Sequence, residues 1–162
     1  MNTDNSNSAT EDFADPLRNY QPRAFHNTLE QALSEEPVAA IQARPYTSIS
    51  PHATVSEAVQ LLASRHVSCA LVEENGKLVG LFTDRDLLNK VALESELLSH
   101  PVCEVMTKDP VFVYDTDSSG AALCVMAVAG HRHVPVLDRE HRIIGIVTPQ
   151  RITSFLLSHA DA

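Results

Sequence analysis

The sequence lacks features on which several large protein classes depend. Its longest unbroken apolar run, residues 121–129, has nine residues, whereas a membrane-spanning helix needs about 20. Its five glycines are scattered, so the glycine-rich loops that hold phosphates in P-loop and dinucleotide-binding enzymes are absent. Its three cysteines are widely spaced and form no C-x-x-C pair, which favours reduced thiols packed as small apolar groups. No nucleophile motif of the G-x-S-x-G type is present either.

Basic residues are also few, with 12 Lys and Arg against 21 Asp and Glu and a net charge of −9 at pH 7. Part of this excess is local, because residues 1–40 hold seven acids and only two arginines. An acidic chain without a basic stripe repels a phosphate backbone, which argues against nucleic acid as the main partner. The N-terminal residues lack the basic start and apolar stretch of a secretion signal. We therefore expect a cytoplasmic protein with no membrane partner.

Residues 1–37 are predicted to form an acidic, partly disordered segment with one short helix. Residues 1–16 are rich in Asn, Ser, Thr and Asp and have few apolar side chains to bury. Thr28 and Gln31 have the spacing of a capping box, which predicts a helix that begins there. Pro37 would end that helix. We expect it to pack on the rest of the protein through its apolar face.

From about Val38 onward the sequence repeats itself. The stretch GLFTDRD at residues 80–86 corresponds to GIVTPQR at residues 145–151, with a separation of 65 residues. The same separation relates further pairs: Pro45 and Pro110, His66 and His131, and Thr83 and Thr148. A constant separation that preserves both the turn residues and the apolar pattern predicts two copies of one supersecondary unit, with no gap between them.

Each copy is predicted to fold in the order β-α-β-β-α. In the first copy, Thr54 and Glu57 form a capping box ahead of an apolar helical face. Asn75-Gly76 is a strong signal for a hairpin turn between two strands, and Thr83 then opens the last helix. A unit of roughly 55 residues buries little core by itself. The sequence therefore predicts an α+β fold in which the two units pack as one body.

One predicted helix, residues 120–129, is apolar on every side. A helix of that kind is expected to be buried all round. Its small side chains would allow it to pack deep inside the pair of units. The alternative, which we favour because so small a protein has few layers to hide a helix, is that its outer face meets a second copy of the chain.

Several motifs taken together resemble a pair of CBS domains, the cystathionine β-synthase type, often called a Bateman module. They are VSCALVEENGKLVGLFTDRDLL at residues 67–88, VCEVMTKDPV at 102–111, HRHVPVLD at 131–138 and RIIGIVT at 142–148. The resemblance covers about residues 38–158 and is closest in type to stand-alone bacterial CBS pairs. It implies one CBS unit at residues 38–98 and a second at 99–162, packed as one pseudo-two-fold module.

The resemblance also implies a function. CBS pairs of this kind are regulatory and not catalytic, and they bind adenosine-type ligands, such as AMP, ADP, ATP or S-adenosylmethionine, between the two units. They often dimerise. We therefore expect an energy-sensing module without a resident cofactor, whose partners are an adenosine nucleotide, a second copy of itself and a regulated protein. The alternative is a ligand-free scaffold that binds a protein partner through its apolar helix or its acidic N-terminal segment.

Thr83 and Asp86 are the first candidate ligand-binding residues. A carboxylate can accept hydrogen bonds from both hydroxyl groups of a ribose, and a threonine at a helix start can bond a phosphate. The family pattern Gly-x-x-Thr-x-x-Asp falls on Gly80, Thr83 and Asp86 and implies these roles. The residues alone also allow a purely structural interpretation, in which Asp86 reaches back to the Thr83 amide as a capping box.

The resemblance places the other side of the ligand on the second unit. It implies contacts with Val111 and Phe112 at the first strand, and with Gly130, His131 and Arg132 before the second strand. Arg132 suits a phosphate clamp, although it could equally be a solvated surface charge. No metal is expected, because His131 and His133 lack a third ligand at a suitable spacing.

The second copy carries Arg151 where the first has Asp86. A guanidinium has five donors and no acceptor, so it cannot accept from ribose hydroxyls. Thr148 followed by proline still suits a helix start. The two clefts are therefore expected to differ. The cleft of Thr148 and Arg151, facing Arg65 and His66, is predicted to be degenerate: empty, filled by its own arginine, or suited to an anion.

Overall fold

The computed structural model describes residues 24–160, so the predicted disorder of residues 1–16 lies outside the described part. The helices are α1 (Thr28–Glu35), α2 (Val55–Arg65), α3 (Asp84–Asp86), α4 (Ser119–Ala129) and α5 (Pro149–Ala160). A π-helical stretch, Leu87–Val91, follows α3. Short 3₁₀ turns cover Val38–Ala40, Ser95–Ser99 and Val102–Glu104. The strands are β1 (Ser48–Ile49), β2 (Cys69–Glu74), β3 (Lys77–Thr83), β4 (Thr107–Lys108), β5 (Val113–Tyr114), β6 (Val134–Leu137) and β7 (Ile143–Val147).

The strands form two small sheets, one for each copy of the repeat. The first has the order β1-β2-β3-β4 and the second the order β5-β6-β7. In both, the first strand pairs parallel with the second, which pairs antiparallel with the third. This arrangement confirms the predicted α+β fold. Among the described helices, none has the length and apolar character that crossing a membrane requires.

Two contacts between equivalent residues locate the axis that relates the copies. Ser68 and His133 occupy matching positions 65 residues apart, and the Ser68 hydroxyl lies 3.0 Å from His133 Nε2. Lys77 forms an isolated antiparallel bridge with Arg142, which is again its equivalent. Two matching residues can touch each other only close to such an axis. The units are therefore related by a pseudo-two-fold axis that passes between these pairs.

The separation between the copies is not constant, which corrects the expectation of a gapless repeat. The helix N-caps Thr54 and Ser118 lie 64 residues apart, as do the left-handed C-caps His66 and Gly130. The strand registers keep the separation of 65 residues. The second unit is thus one residue shorter before α4 and one residue longer after it. The extra residue falls within residues 131–133, so Gly130, not His131, is the structural equivalent of His66.

The segment that leads into each unit packs into the core of the other unit. Val38, Ile41 and Ala43 are buried among residues of the second unit. Val102 and Val105, which lie at the start of the second unit, are buried among residues of the first. The chain therefore crosses between the units twice. Each core needs the leading segment of its neighbour to be complete.

Gly80 and Gly145 lie where these leading segments cross the sheets. A Cβ atom at Gly145 would overlap the backbone carbonyl of Ala43, and one at Gly80 would lie 2.9 Å from the carbonyl oxygen of Thr107. The amide of Ile146 donates to the same Ala43 carbonyl at 3.0 Å. At both positions any side chain would separate backbones that are in direct contact, which explains why the repeat keeps glycine there.

Helix α1 is the short helix expected before Pro37, but it starts differently. The N-cap is Asn27, whose side chain accepts from the amide of Glu30, so the predicted cap at Thr28 is wrong. Asparagine is at least as good a cap as threonine. The Thr28 hydroxyl is instead free to donate to the carbonyl of His159 in α5, at 2.8 Å. The cap thus leaves a side chain available to attach α1 to the last helix.

Helix α4 is buried on one side only. Ser119 and Ala122 are buried, and the Ser119 hydroxyl donates to a backbone carbonyl of α1 at 3.0 Å. Leu123 is 36% exposed and Val128 is 88% exposed, with Cys124 exposed between them. Burial of this helix on all sides within one chain is therefore wrong. Packing of every cysteine as a core group is also wrong, since Cys124 lies on the open face of α4.

Candidate functional site

A cavity of about 490 Å³ lies between the two units. The first unit contributes the junction of β3 with α3 and the following π-helical stretch. Strand β4, from the start of the second unit, extends the first sheet beside them. The second unit contributes the residues before β5 and those between α4 and β6. The lining residues are Ser68, Leu81, Thr83, Asp84, Arg85, Asp86, Leu88, Asn89, Thr107, Pro110, Val111, Gly130, His131, Arg132 and His133. The cavity is thus shared by both copies of the repeat.

Six of the seven residues expected in the first cleft line this one cavity. They are Thr83, Asp86, Val111, Gly130, His131 and Arg132. The seventh, Phe112, lines a separate cavity, where its ring makes edge-to-face contacts with Tyr114 and His141. Successive side chains of an extended segment point to opposite sides. Val111 and Phe112, although adjacent in sequence, thus line different cavities.

The carboxylate of Asp86 is the most constrained group of the cavity, with 6% of the residue exposed. Its Oδ2 atom accepts from the Thr83 amide at 3.0 Å and from the Thr83 hydroxyl at 2.8 Å. Its Oδ1 atom accepts from Lys90 Nζ at 2.7 Å and from the Thr107 hydroxyl at 3.1 Å. The capping-box interpretation therefore describes this structure, in which ligand binding would have to redirect some of these donors.

The opposite wall is built at the end of α4. Gly130 ends the helix in the left-handed conformation, with φ of 66°. The chain then turns through His131 and Arg132 before His133 meets Ser68 at the pseudo-two-fold axis. Burial lowers the pKa of His133 below its ordinary value, with Asp84 opposing the shift and Arg132 adding to it. His133 is therefore a neutral hydrogen-bonding group at neutral pH, and Arg132 is the charged group of this wall.

Four residues of α3 and the following π-helical stretch are functional candidates that were not expected from the sequence. Arg85 and Asn89 line the cavity beside Asp86, and Leu88 is an apolar residue that lines it while 68% exposed. Lys90 reaches Asp86 from the next turn. The i, i+4 spacing of Asp86 and Lys90 was the available signal, because oppositely charged residues four apart share a helix face.

The groups of the cavity suit a ligand with a polar, hydroxyl-bearing part and an anionic part. The buried carboxylate of Asp86 can accept hydrogen bonds, and Arg85 and Arg132 can donate to an anion.

The thiol of Cys69, at the start of β2, is unsuited to nucleophilic chemistry, because burial and the charges of Asp86 and Asp84 raise its pKa to about 12. Within residues 24–160 no cluster of side chains is arranged to hold a metal ion.

The second cleft is organised around the side chain of Arg151. Its Nη1 atom donates to the carbonyls of Ala43 and of Ile146, the latter at 2.7 Å, and its Nη2 atom donates to the carbonyl of Pro45. Burial lowers the pKa of this guanidinium. The Thr148 hydroxyl accepts from the Arg151 amide at 3.4 Å. The guanidinium is therefore directed at backbone carbonyls of the leading segment and of β7.

The two residues expected to face Arg151 lie at the end of α2. Arg65 and His66 are both exposed, and His66 has the left-handed backbone conformation, with φ of 54°. Neither is among the hydrogen-bond partners of the Arg151 side chain in the described part of the chain. Arg65 and His66 are thus placed as solvent-facing groups.

Comparison with known proteins gives a consistent result. The family model for the CBS domain matches residues 38–93 and again residues 102–158. The sequence is 32% identical over 127 residues to a homoserine O-acetyltransferase of Methanosarcina acetivorans, a match that covers 78% of this chain and only 23% of that protein. The chain thus spans less than a quarter of the length of this curated relative.

Solved structures show the same fold. A CBS domain protein of Pyrobaculum aerophilum, PAE2072, complexed with AMP, has a TM-score of 0.67 and 26% identity, over 78% of this chain and 99% of that one. CBSX2 in complex with AMP has a TM-score of 0.65 and 27% identity, over 75% and 96% of the two chains. With both units matched in sequence and the pair matched in structure, this chain belongs to the CBS domain family as a tandem pair.

Proposed function

We propose that this CBS pair is a non-catalytic regulatory module that binds an adenosine nucleotide of the AMP, ADP or ATP class in the cleft between its units. The observation that carries the proposal is the cavity, because it brings together a buried carboxylate from one unit and an arginine from the other. Two proteins of the same fold, PAE2072 and CBSX2, were solved as AMP complexes, which supports the same ligand class here.

In this proposal the cleft divides into three parts. Asp86 accepts hydrogen bonds from the ribose hydroxyls, and Thr83 turns its hydroxyl from Asp86 to the phosphate. Arg132 pairs with the phosphate from the opposite wall. Leu88 and Val111, which are 68% and 46% exposed, would be covered by the adenine ring. Covering apolar surface in this way is favourable by roughly 25 cal/mol for each Å² removed from water.

The pair would hold a single nucleotide. In the second unit the position of Asp86 is taken by Arg151, whose donors are already directed at backbone carbonyls. A guanidinium offers no acceptor to a ribose. Of the alternatives for this cleft, the contacts of Arg151 favour a cleft filled by its own arginine.

Thermal unfolding in the presence of AMP, ADP, ATP and S-adenosylmethionine tests the proposal. A ligand at a hundred times its Kd stabilises the folded state by about 2.7 kcal/mol, which raises Tm by roughly 5–10 °C for a chain of this length. Asp86→Ala and Asp86→Asn should abolish the shift, and Asn keeps the size of the side chain. Glu96→Ala, which removes an exposed carboxylate outside the cavity, should leave it unchanged. If none of the four ligands shifts Tm, the nucleotide proposal is wrong.

A second candidate function, a dimerisation or scaffold module, is favoured by the open face of α4. Leu123, Cys124 and Val128 form an apolar surface beside a buried face of the same helix. A second copy of the chain would cover this surface, which a monomer leaves in water. Val128→Asp and Leu123→Asp should convert a dimer to a monomer in analytical ultracentrifugation, whereas Leu157→Asp, on α5, should not. A wild-type monomer at micromolar concentration would exclude this interface.

A further inference from the structure

The four hydrogen bonds to the Asp86 carboxylate leave it no spare capacity. Both oxygens accept twice, at distances from 2.7 to 3.1 Å. An ionised carboxylate offers about four acceptor positions. A ribose hydroxyl can therefore reach Asp86 only by displacing a donor that belongs to the protein. The donor that leaves, and the cost of removing it, decide how strongly the cleft binds.

Lys90 is the donor that opposes a ligand most strongly. The Thr83 amide is fixed in the backbone, and the hydroxyls of Thr83 and Thr107 can rotate to a new acceptor. The ammonium of Lys90 is the charged donor among the four, so its bond joins two opposite charges in an ion pair of 2.7 Å, whereas the other donors are neutral groups. Its position is held by a second bond, from Nζ to the carbonyl of Val105 at 2.7 Å.

The two members of the ion pair also differ in their exposure to solvent. The Lys90 side chain is 42% exposed, whereas that of Asp86 is 7% exposed. Lys90 can therefore move into water when a ligand arrives, while Asp86 has to stay. This asymmetry makes Lys90 a removable counter-ion and Asp86 a fixed acceptor.

The second unit shows that the fold of a CBS unit does not require this ion pair. The positions equivalent to Asp86 and Lys90 are Arg151 and Phe155. Phe155 is buried, and the centroid of its ring lies 4.6 Å from the centroid of the His159 ring. Helix α5 is a regular helix, and within residues 24–160 Arg151 forms no ion pair with an acidic side chain. The pair of Asp86 and Lys90 is thus particular to the unit whose cleft is open.

We propose that Lys90 sets the affinity of the cleft, acting as a built-in counter-ion that competes with the ligand's ribose hydroxyls for Oδ1 of Asp86. The inference rests on the proposed function, because it concerns a ligand that carries a vicinal diol. It assigns Lys90 a positioning role, since the residue acts through Asp86. Its removal strengthens binding, which is the opposite of what the loss of a direct ligand contact does.

Isothermal titration calorimetry of Lys90→Met with adenosine and with AMP tests this role. Methionine keeps most of the length of the unbranched side chain and removes the charge and the donor. We expect Kd for both compounds to fall at least about tenfold, which corresponds to about 1.4 kcal/mol. Adenosine has no phosphate, so attraction between Lys90 and a phosphate does not enter its Kd. The affinity for 2′,3′-dideoxyadenosine, which lacks both hydroxyls, should be the same in the two proteins.

Lys77→Met is the matched control, because it removes a lysine that neither lines this cavity nor bonds Asp86. Its Kd values should equal those of the wild type. A wild type that binds, together with Lys90→Met binding equally or more weakly, overturns the inference and leaves the proposed function standing. Absence of adenosine and AMP binding in both proteins overturns both. Binding by Lys90→Met alone supports both. Lys90→Gln replaces Lys90→Met if the latter fails to fold by circular dichroism, and failure of both variants to fold shows a structural role and overturns the inference.

Discussion

Replacing Arg151 by alanine should destabilise the folded state by about 2–3 kcal/mol. The substitution removes a charged donor from three backbone carbonyls, but the energetic cost differs among the three. The Ala43 carbonyl keeps its bond from the Ile146 amide at 3.0 Å, and Pro45 is exposed, so water can replace the guanidinium there. Ile146 is 7% exposed, and its carbonyl loses its bond from Arg151. A buried acceptor left unpaired costs about 1–3 kcal/mol, and the apolar stem of the arginine adds its packing.

Urea unfolding and calorimetry of wild type, Arg151→Ala and Arg139→Ala measure this loss. A change of 2–3 kcal/mol lowers Tm by roughly 5–10 °C in a chain of this length. Arg139 is an exposed arginine of the same unit, and its removal should cost less than about 0.5 kcal/mol. Arg151→Asp should be less stable than Arg151→Ala, because its carboxylate would face carbonyl oxygens. Equal stability of Arg151→Ala and Arg139→Ala would refute the reasoning.

Two further predictions concern the attachment of α1 and the crossing of the leading segment. The carbonyl of Phe155 and the carboxylate of Glu36 raise the pKa of His159. Their stabilisation is complete below the unfolded-state pKa of about 6.5 and is lost as pH rises through the higher folded-state value. Glu36→Gln should therefore cost more stability at pH 6 than at pH 9 in urea unfolding, and an equal cost at both would contradict this. Gly145→Ala should cost about 1–3 kcal/mol, because its methyl group meets the Ala43 carbonyl; a melting curve like that of the wild type would exclude that contact.

Local signals in the sequence predicted local structure well. Asn75 and Gly76 predicted a tight hairpin, and both have positive φ, 52° and 77°, as a type I′ turn requires. Thr54 and Glu57 predicted a capping box, and both of its hydrogen bonds are present. These features depend on residues a few positions apart, so the sequence contains all the information that they need.

The features that the sequence did not predict depend on distant parts of the chain. Nothing local to Val38 or Val102 indicates that each is buried in the other unit's core. The one-residue offset of α4 is hidden because the loss before the helix and the gain after it cancel in a simple alignment. In the candidate site, the chemistry of Asp86 was recognisable, and the i, i+4 spacing of Lys90 offered a local signal. The donor Thr107 had no such signal, because it lies 21 residues further along the chain.

The crossing of the leading segments has a consequence for dissection of the protein. Cutting the chain between the units, near residues 94–101, separates Val102 and Val105 from the core that they fill, and Val38 and Ile41 from theirs. Neither half would then be a self-sufficient domain, but the two fragments together contain every piece of both cores. Mixing the two fragments should restore the fold by complementation, because the leading segment of each fragment fills the core of the other. The pair is in this sense a single folding unit, because each half completes the core of the other. The nucleotide that we propose for one cleft would therefore stabilise both halves.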